Sequence, residues 1–129
     1  MSGLTALATF VGGGAGAASR YGVGRALARR YQGGFPLGTF AINVSGCFAL
    51  GLLASLLAAS HRDIRVATAL LAAGFLGGYT TFSTYALEGV LLAEGKRGSL
   101  AALSMVGSVL AGLGAAALGA ALAALIVAA

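Results

Sequence analysis

Few side chains in this sequence can do chemistry, and most of those stand in apolar surroundings. Asn43 lies inside the run 37–60, with Thr39 one helical turn earlier on the same face. The stretch Gly74-Phe-Leu-Gly-Gly-Tyr-Thr-Thr-Phe-Ser-Thr-Tyr85 places three glycines, then hydroxyls and aromatic rings, in the middle of an uncharged segment. Read as a helix from there on, Thr81, Thr84 and Glu88 share a face, with Phe82 and Tyr85 beside it. Ser104 and Ser108 form a second polar stripe, and Arg20 follows 18 uncharged residues. Hydrocarbon offers such groups no partner, and a charge at the bilayer centre costs about 2.5 to 3.5 kcal/mol on insertion scales. The donors Arg20, Asn43, Thr81, Ser83, Thr84, Ser104 and Ser108 outnumber Glu88, the one carboxylate expected beside a membrane helix. That balance favours an anion. Hydroxyl and amide donors can replace the water shell of a small anion, and aromatic rings present a positive edge. Each residue also has a plainer account: a snorkelling Arg20, a helix-to-helix bond from Asn43, or serines bonded to carbonyls four residues earlier.

The elements that must position these groups follow from composition. The chain has 129 residues, 59% hydrophobic and 9% charged, with a mean hydropathy of +0.96, against about 25% charge in an ordinary soluble domain. Lys+Arg 8 and Asp+Glu 3 cannot cover a water-soluble particle this apolar, and disordered chains are polar where this one is rich in Ala, Leu and Gly. The surface must face lipid. Charged residues divide the sequence into uncharged stretches at 2–19, 31–61, 66–87 and 98–129, each with at least 18 residues. At 1.5 Å per residue, 18 residues reach about 27 Å, close to the roughly 30 Å hydrocarbon core. The expected architecture is an all-α integral membrane protein, one domain over 1–129, with spans near 4–28, 37–60, 66–93 and 98–127. The third helix is expected to be broken at its middle, with Gly77 or Gly78 ending one half and Thr80 or Thr81 capping the next. Broken helices at membrane depth persist where they line a cavity or bind an ion.

Small residues four apart predict close helix packing: Gly12 with Gly16, Gly74 with Gly78, and Ser104, Ser108, Gly112, Ala116 and Ala120. Four helices enclose little interior, so an oligomer is expected. Arg25, Arg29, Arg30, Lys96 and Arg97 fall on the side of the first and third loops, against Arg62 and Arg65 on the other. That count favours termini outside.

Other functions lose ground on the same residues. The net charge of +5 is dispersed in small groups between apolar runs, which argues against nucleic acid. Cys47 is the only cysteine and His61 the only histidine, so no disulfide framework, metal cluster or catalytic triad can be built within one chain, and an enzyme is not expected. Gly12-Gly-Gly-Ala-Gly-Ala17 nearly matches a dinucleotide-binding loop but lacks its strand-helix-strand setting. A small four-helix, dual-topology, proton-coupled multidrug or cation antiporter is the main rival. Its chemistry needs an acidic residue in the first helix, and none is there.

Three motifs in order, Gly12-Gly-x-x-Gly-x-x-x-Arg20-Tyr21, Gly38-Thr39-x-x-x-Asn43-x-x-Gly46 and Gly74-x-x-Gly77-Gly-x-Thr80-Thr-Phe-Ser-Thr84, resemble the Fluc (CrcB) fluoride channel family across essentially the whole chain. The resemblance implies an antiparallel, dual-topology homodimer with two pores. It would passively export toxic fluoride across a bacterial or archaeal plasma (inner) membrane and so confer fluoride resistance. By that similarity Asn43 donates to fluoride, and Phe82 and the aromatic at 85 supply ring edges; Tyr85 stands where the family commonly has Phe. Thr81, Ser83, Thr84, Glu88, Ser104 and Ser108 would form a polar track, and Arg20 would give a vestibule its positive potential. The family also holds a structural Na⁺ at the dimer centre through backbone carbonyls that map onto Gly77 and Thr80, with no organic cofactor. Asn43→Ala is expected to cut fluoride flux and leave assembly intact. The charge bias leaves room for pairing with an oppositely oriented paralogue in place of a second copy.

Overall fold

A computed structural model describes residues 2–60 and 63–129; His61 and Arg62, assigned to a loop by their sequence, lie outside the described residues. Every regular element among the described residues is helical. There are four segments: α1 (Gly3–Arg30), α2 (Leu37–Ala58), α3 (Arg65–Glu94) and α4 (Gly98–Ala128). Ser2 starts α1 by accepting the Thr5 N–H at 3.3 Å, and α2 begins immediately after Pro36, whose fixed φ suits a helix entry. The end of α3 is closed by the Arg97 N–H on the Leu92 carbonyl at 2.9 Å, with Lys96 in the left-handed region at φ 58°.

Helices α2, α3 and α4 are each long and apolar enough to cross a membrane. Helix α1 has 28 residues, about 42 Å of helix, and carries Arg20 and Arg25 in its second half. Among the described residues no large side chain is fully buried. The buried residues are small or medium ones such as Ala8, Ile42, Leu76, Ala101 and Ala123, while Phe10 and Phe82 are 80% exposed. An apolar surface around a glycine- and alanine-rich interior is what lipid solvates and water does not.

Helix α3 has two arms. Residues 65–79 are helical throughout, with wide π-type turns over Thr68–Leu76, and the second arm is Phe82–Glu94. Between them Thr80 (φ −78°, ψ 162°) and Thr81 (φ −149°, ψ 122°) are extended. The first arm therefore ends at Tyr79, beyond the two glycines the sequence singled out. Gly77 keeps helical angles (φ −63°, ψ −38°), and Gly78 serves packing: a Cβ there would overlap the Gly13 carbonyl of α1. Gly12 and Gly16 answer from the other side, where a Cβ would overlap the Leu70 and Phe75 carbonyls. The two glycine pairs interlock α1 and the first arm backbone to backbone. Helix α2 pairs with α4 in the same way, with Gly51 on the Ala116 carbonyl and Gly119 on the Phe48 carbonyl. The half-buried Cys47 packs beside Gly112. The second arm leaves α1 and lies on α4.

Candidate pore site

The interruption in α3 exposes peptide groups that a continuous helix would pair, and α2 meets that need with one side chain. Asn43 Nδ2 donates to the Thr81 carbonyl at 2.9 Å, and the Thr81 N–H donates to Asn43 Oδ1 at 2.9 Å. The amide thus pairs with the Thr81 peptide as a neighbouring strand would. Its two-point pairing also fixes which amide atom is oxygen. One Nδ2 hydrogen is left over for another acceptor. By taking the Thr81 N–H, Asn43 also withholds it from the carbonyl of Gly77, four residues earlier, where a continuing helix would send it.

The neighbouring groups are similarly fastened. Arg20 Nη1 donates to the Thr80 carbonyl at 3.0 Å, and the Thr80 hydroxyl donates to the Leu76 carbonyl at 2.9 Å. Thr81 caps the second arm: its hydroxyl accepts the Thr84 N–H at 3.3 Å and donates to the Thr84 hydroxyl at 3.0 Å. Thr39 donates to Glu88 Oε1 at 3.0 Å, and Glu88 Oε2 is a buried oxygen without a hydrogen-bond partner. The Phe82 and Tyr85 rings lie 5.8 Å apart at 42°.

Two cavities meet at the interruption. One, of about 390 Å³, is lined by Asn43, Thr80, Phe82, Tyr85 and Ser108, with Gly77 at its wall. The other, of about 510 Å³, is lined by Arg20, Thr39, Thr84 and Glu88, between α1, the start of α2 and the second arm. Thr81 borders both. Outside the membrane, Asp63 pairs with Arg65 at 2.8 Å, and those hydrogen bonds hold its carboxyl down at about 2.

Comparison with known proteins fits this architecture. The family model described as CrcB-like protein, Camphor Resistance (CrcB), matches residues 7–120. A Brucella abortus protein named fluoride-specific ion channel FluC 2 is 45% identical over 126 residues, 95% of this chain and 97% of its own. A Brucella melitensis protein named fluoride-specific ion channel FluC 1 is 48% identical, over 88% of this chain and 94% of its own. A Paracoccus denitrificans protein named fluoride-specific ion channel FluC is 50% identical, over 75% of this chain and 74% of its own. The chain belongs to the CrcB family. It is a multi-pass membrane protein.

Within this CrcB chain, the residues singled out in the sequence are distributed unevenly. Asn43, Thr81, Phe82, Tyr85 and Ser108 come together on the first cavity, and Arg20, Thr84 and Glu88 on the second. Ser83 is exposed, within 3.4 Å of the Thr81 hydroxyl, and Ser104 is 2% exposed; neither lines these two cavities. The Tyr85 hydroxyl donates to the Met105 carbonyl at 3.0 Å, which anchors the ring to α4. Asn43 is tied to the Thr81 backbone through both amide atoms, so Asn43→Ala cannot be expected to leave the fold undisturbed. The sequence put Thr39 beside Asn43 and in the second motif without giving it a role, and its bond to Glu88 was missed. The available signal was its position one turn from Asn43 in an apolar helix.

Proposed function

We propose that this chain is a fluoride-selective ion channel, not an enzyme, through which cytoplasmic fluoride leaves passively down its gradient. The observation that carries the reading is the cavity where the Asn43 amide, the Thr81 hydroxyl and the Phe82 and Tyr85 rings meet. It sets the spare Asn43 Nδ2 hydrogen and the Ser108 hydroxyl beside two aromatic rings, with no carboxylate in its lining, which suits a small anion that must be held weakly enough to leave. Relatives named fluoride-specific ion channels, 45% and 48% identical over most of this chain, support fluoride as that anion.

In this reading all four segments cross the bilayer, α3 as a helix broken at its middle. Arg20 sets the positive potential of the vestibule, and fluoride passes along Thr84, Thr81, Asn43 and the two rings. Glu88 and Ser108, which border the same two cavities, complete the polar track, and Ser83 and Ser104 stand outside it. The working unit is an antiparallel dimer of two copies, or of this chain with an oppositely oriented paralogue, in a bacterial or archaeal inner membrane. Phe82, 80% exposed in the single chain, would be covered by the partner. Gly77 is also exposed and has room for a side chain, so its bare backbone suits close approach by a second copy.

A structural Na⁺ fits at that approach. The carbonyls at the end of the first arm are hard oxygen ligands, and Asn43 has drawn the Thr81 N–H away from Gly77. The Thr80 carbonyl has two lone pairs, one of them facing Arg20. Two chains would offer four such oxygens, and the bound ion would neutralise the carbonyl dipoles where the chains meet.

Two experiments test the reading. Expression in a cell stripped of its own fluoride exporter should restore growth in millimolar fluoride; no rescue by inserted protein would remove fluoride export as the function. A tag at Ala129 should be reached from both sides of the membrane if two copies insert oppositely. A tag on one side only would rule out the dual-topology homodimer and leave the paralogue.

A further inference from the structure

The cations that the function does not use gather at one end of the bundle. The Arg97 guanidinium lies against Gly34, where a Cβ would overlap it, so the loop after α3 is folded onto the loop after α1. This contact brings Arg29, Arg30, Lys96 and Arg97 to one end, all exposed, with Glu94 the carboxylate that accompanies them on α3. Among the described residues the one ion pair is Arg65 with Asp63, at the start of α3, so none of these four cations is neutralised in that way. Tyr31, 39% exposed, stands in the same loop, an amphipathic ring of the type found at headgroup depth. Among the described residues, Asp63 neutralises Arg65 at one end, and no carboxylate pairs in that way with Arg97 at the other.

We infer that this end of the bundle, formed by Arg29, Arg30, Lys96 and Arg97, is a binding surface for the phosphate headgroups of anionic phospholipid. The four residues follow or precede membrane segments directly, which sets them at headgroup depth, and a cluster of that size is drawn to an anionic leaflet. Phosphate is bidentate with guanidinium, and three of the four are arginines. None of the four cations lines either pore cavity, while Tyr31 borders the second.

The test is native mass spectrometry of the assembled protein released from micelles containing phosphatidylglycerol or phosphatidylcholine. The wild type should retain phosphatidylglycerol at least about tenfold better, and Arg29→Gln, Arg30→Gln, Lys96→Gln and Arg97→Gln together should abolish that preference. Arg65→Gln, at the other end, should leave it intact. Should the fourfold variant fail to assemble, the wild type decides by its salt dependence, because headgroup binding must weaken steeply between 0.05 and 0.5 M salt. Equal retention of the two lipids, or retention indifferent to salt, would overturn the inference. Displacement of the lipid by millimolar inorganic phosphate would show a soluble-anion site and overturn it equally.

Discussion

The two arms of α3 are built from opposite materials. The first arm, 65–79, meets α1 through backbone: Gly12, Gly16 and Gly78 leave no room for a methyl group, and the only buried residues of its wide turns are Gly74 and Leu76. The second arm, Phe82–Glu94, meets α4 through side chains, with Tyr85 bonded to Met105 and Gly89 against the Met105 thioether. The polar groups divide the same way, since Thr81, Ser83, Thr84 and Glu88 belong to the second arm or its cap. In a bilayer, where the hydrophobic effect gives helices no reason to associate, glycine contact supplies the attraction by dispersion at short range. A locked first arm gives the second a fixed anchor for hydroxyls that a lipid-facing helix could not carry. Asn43 joins the two arms by completing the peptide that neither can pair.

Substitutions that attack the first arm should therefore have the largest effect. Gly16→Val places a branched side chain into the Phe75 carbonyl and is expected to cost about 3 kcal/mol or more, read as loss of monodisperse protein on size exclusion. A Gly16→Val protein with wild-type yield and melting temperature would show that the arms are not held differently. Asn43→Ala comes next. It leaves a donor and an acceptor of Thr81 unpaired, at about 1 to 3 kcal/mol for each buried group, so thermal stability and fluoride flux should fall together. A loss of flux with unchanged stability would make Asn43 a fluoride donor only.

Smaller effects belong to the second arm and its end. Tyr85→Phe removes the bond to Met105 and should cost about 1 kcal/mol while keeping the ring edge, with fluoride flux preserved. Flux abolished by this change would give the hydroxyl a direct part in permeation. Lys96→Gly relieves a left-handed residue and should raise stability by up to about 1 kcal/mol with no change in flux, measured by thermal unfolding in detergent.

How far the sequence reached follows from the range of each interaction. Helices separated by charged residues and glycines four apart are local patterns, so α2 beginning after Pro36 and the Gly12–Gly16 and Gly74–Gly78 pairs could be read directly. Asn43 stood out as a lone amide in an apolar run. Its partner, 38 residues away, could not be read, because that pairing depends on how α2 crosses the end of the first arm. Thr39 with Glu88, 49 residues apart, was hidden for the same reason. The stop at Tyr79 was misplaced because glycine ends helices in water and packs them in lipid, and both uses leave the same letter. Ser104 and Ser83 show a further limit: a hydroxyl in an apolar run marks an unusual position without saying which way the helix turns it.

The most direct test of the central claim is ion efflux from liposomes holding the purified chain, followed with a fluoride electrode and, in parallel, a chloride electrode. Fast fluoride release without chloride release is the predicted result and would show that this chain alone is sufficient. Absence of fluoride release from well-folded protein, persisting after an oppositely oriented paralogue is added, would contradict the account.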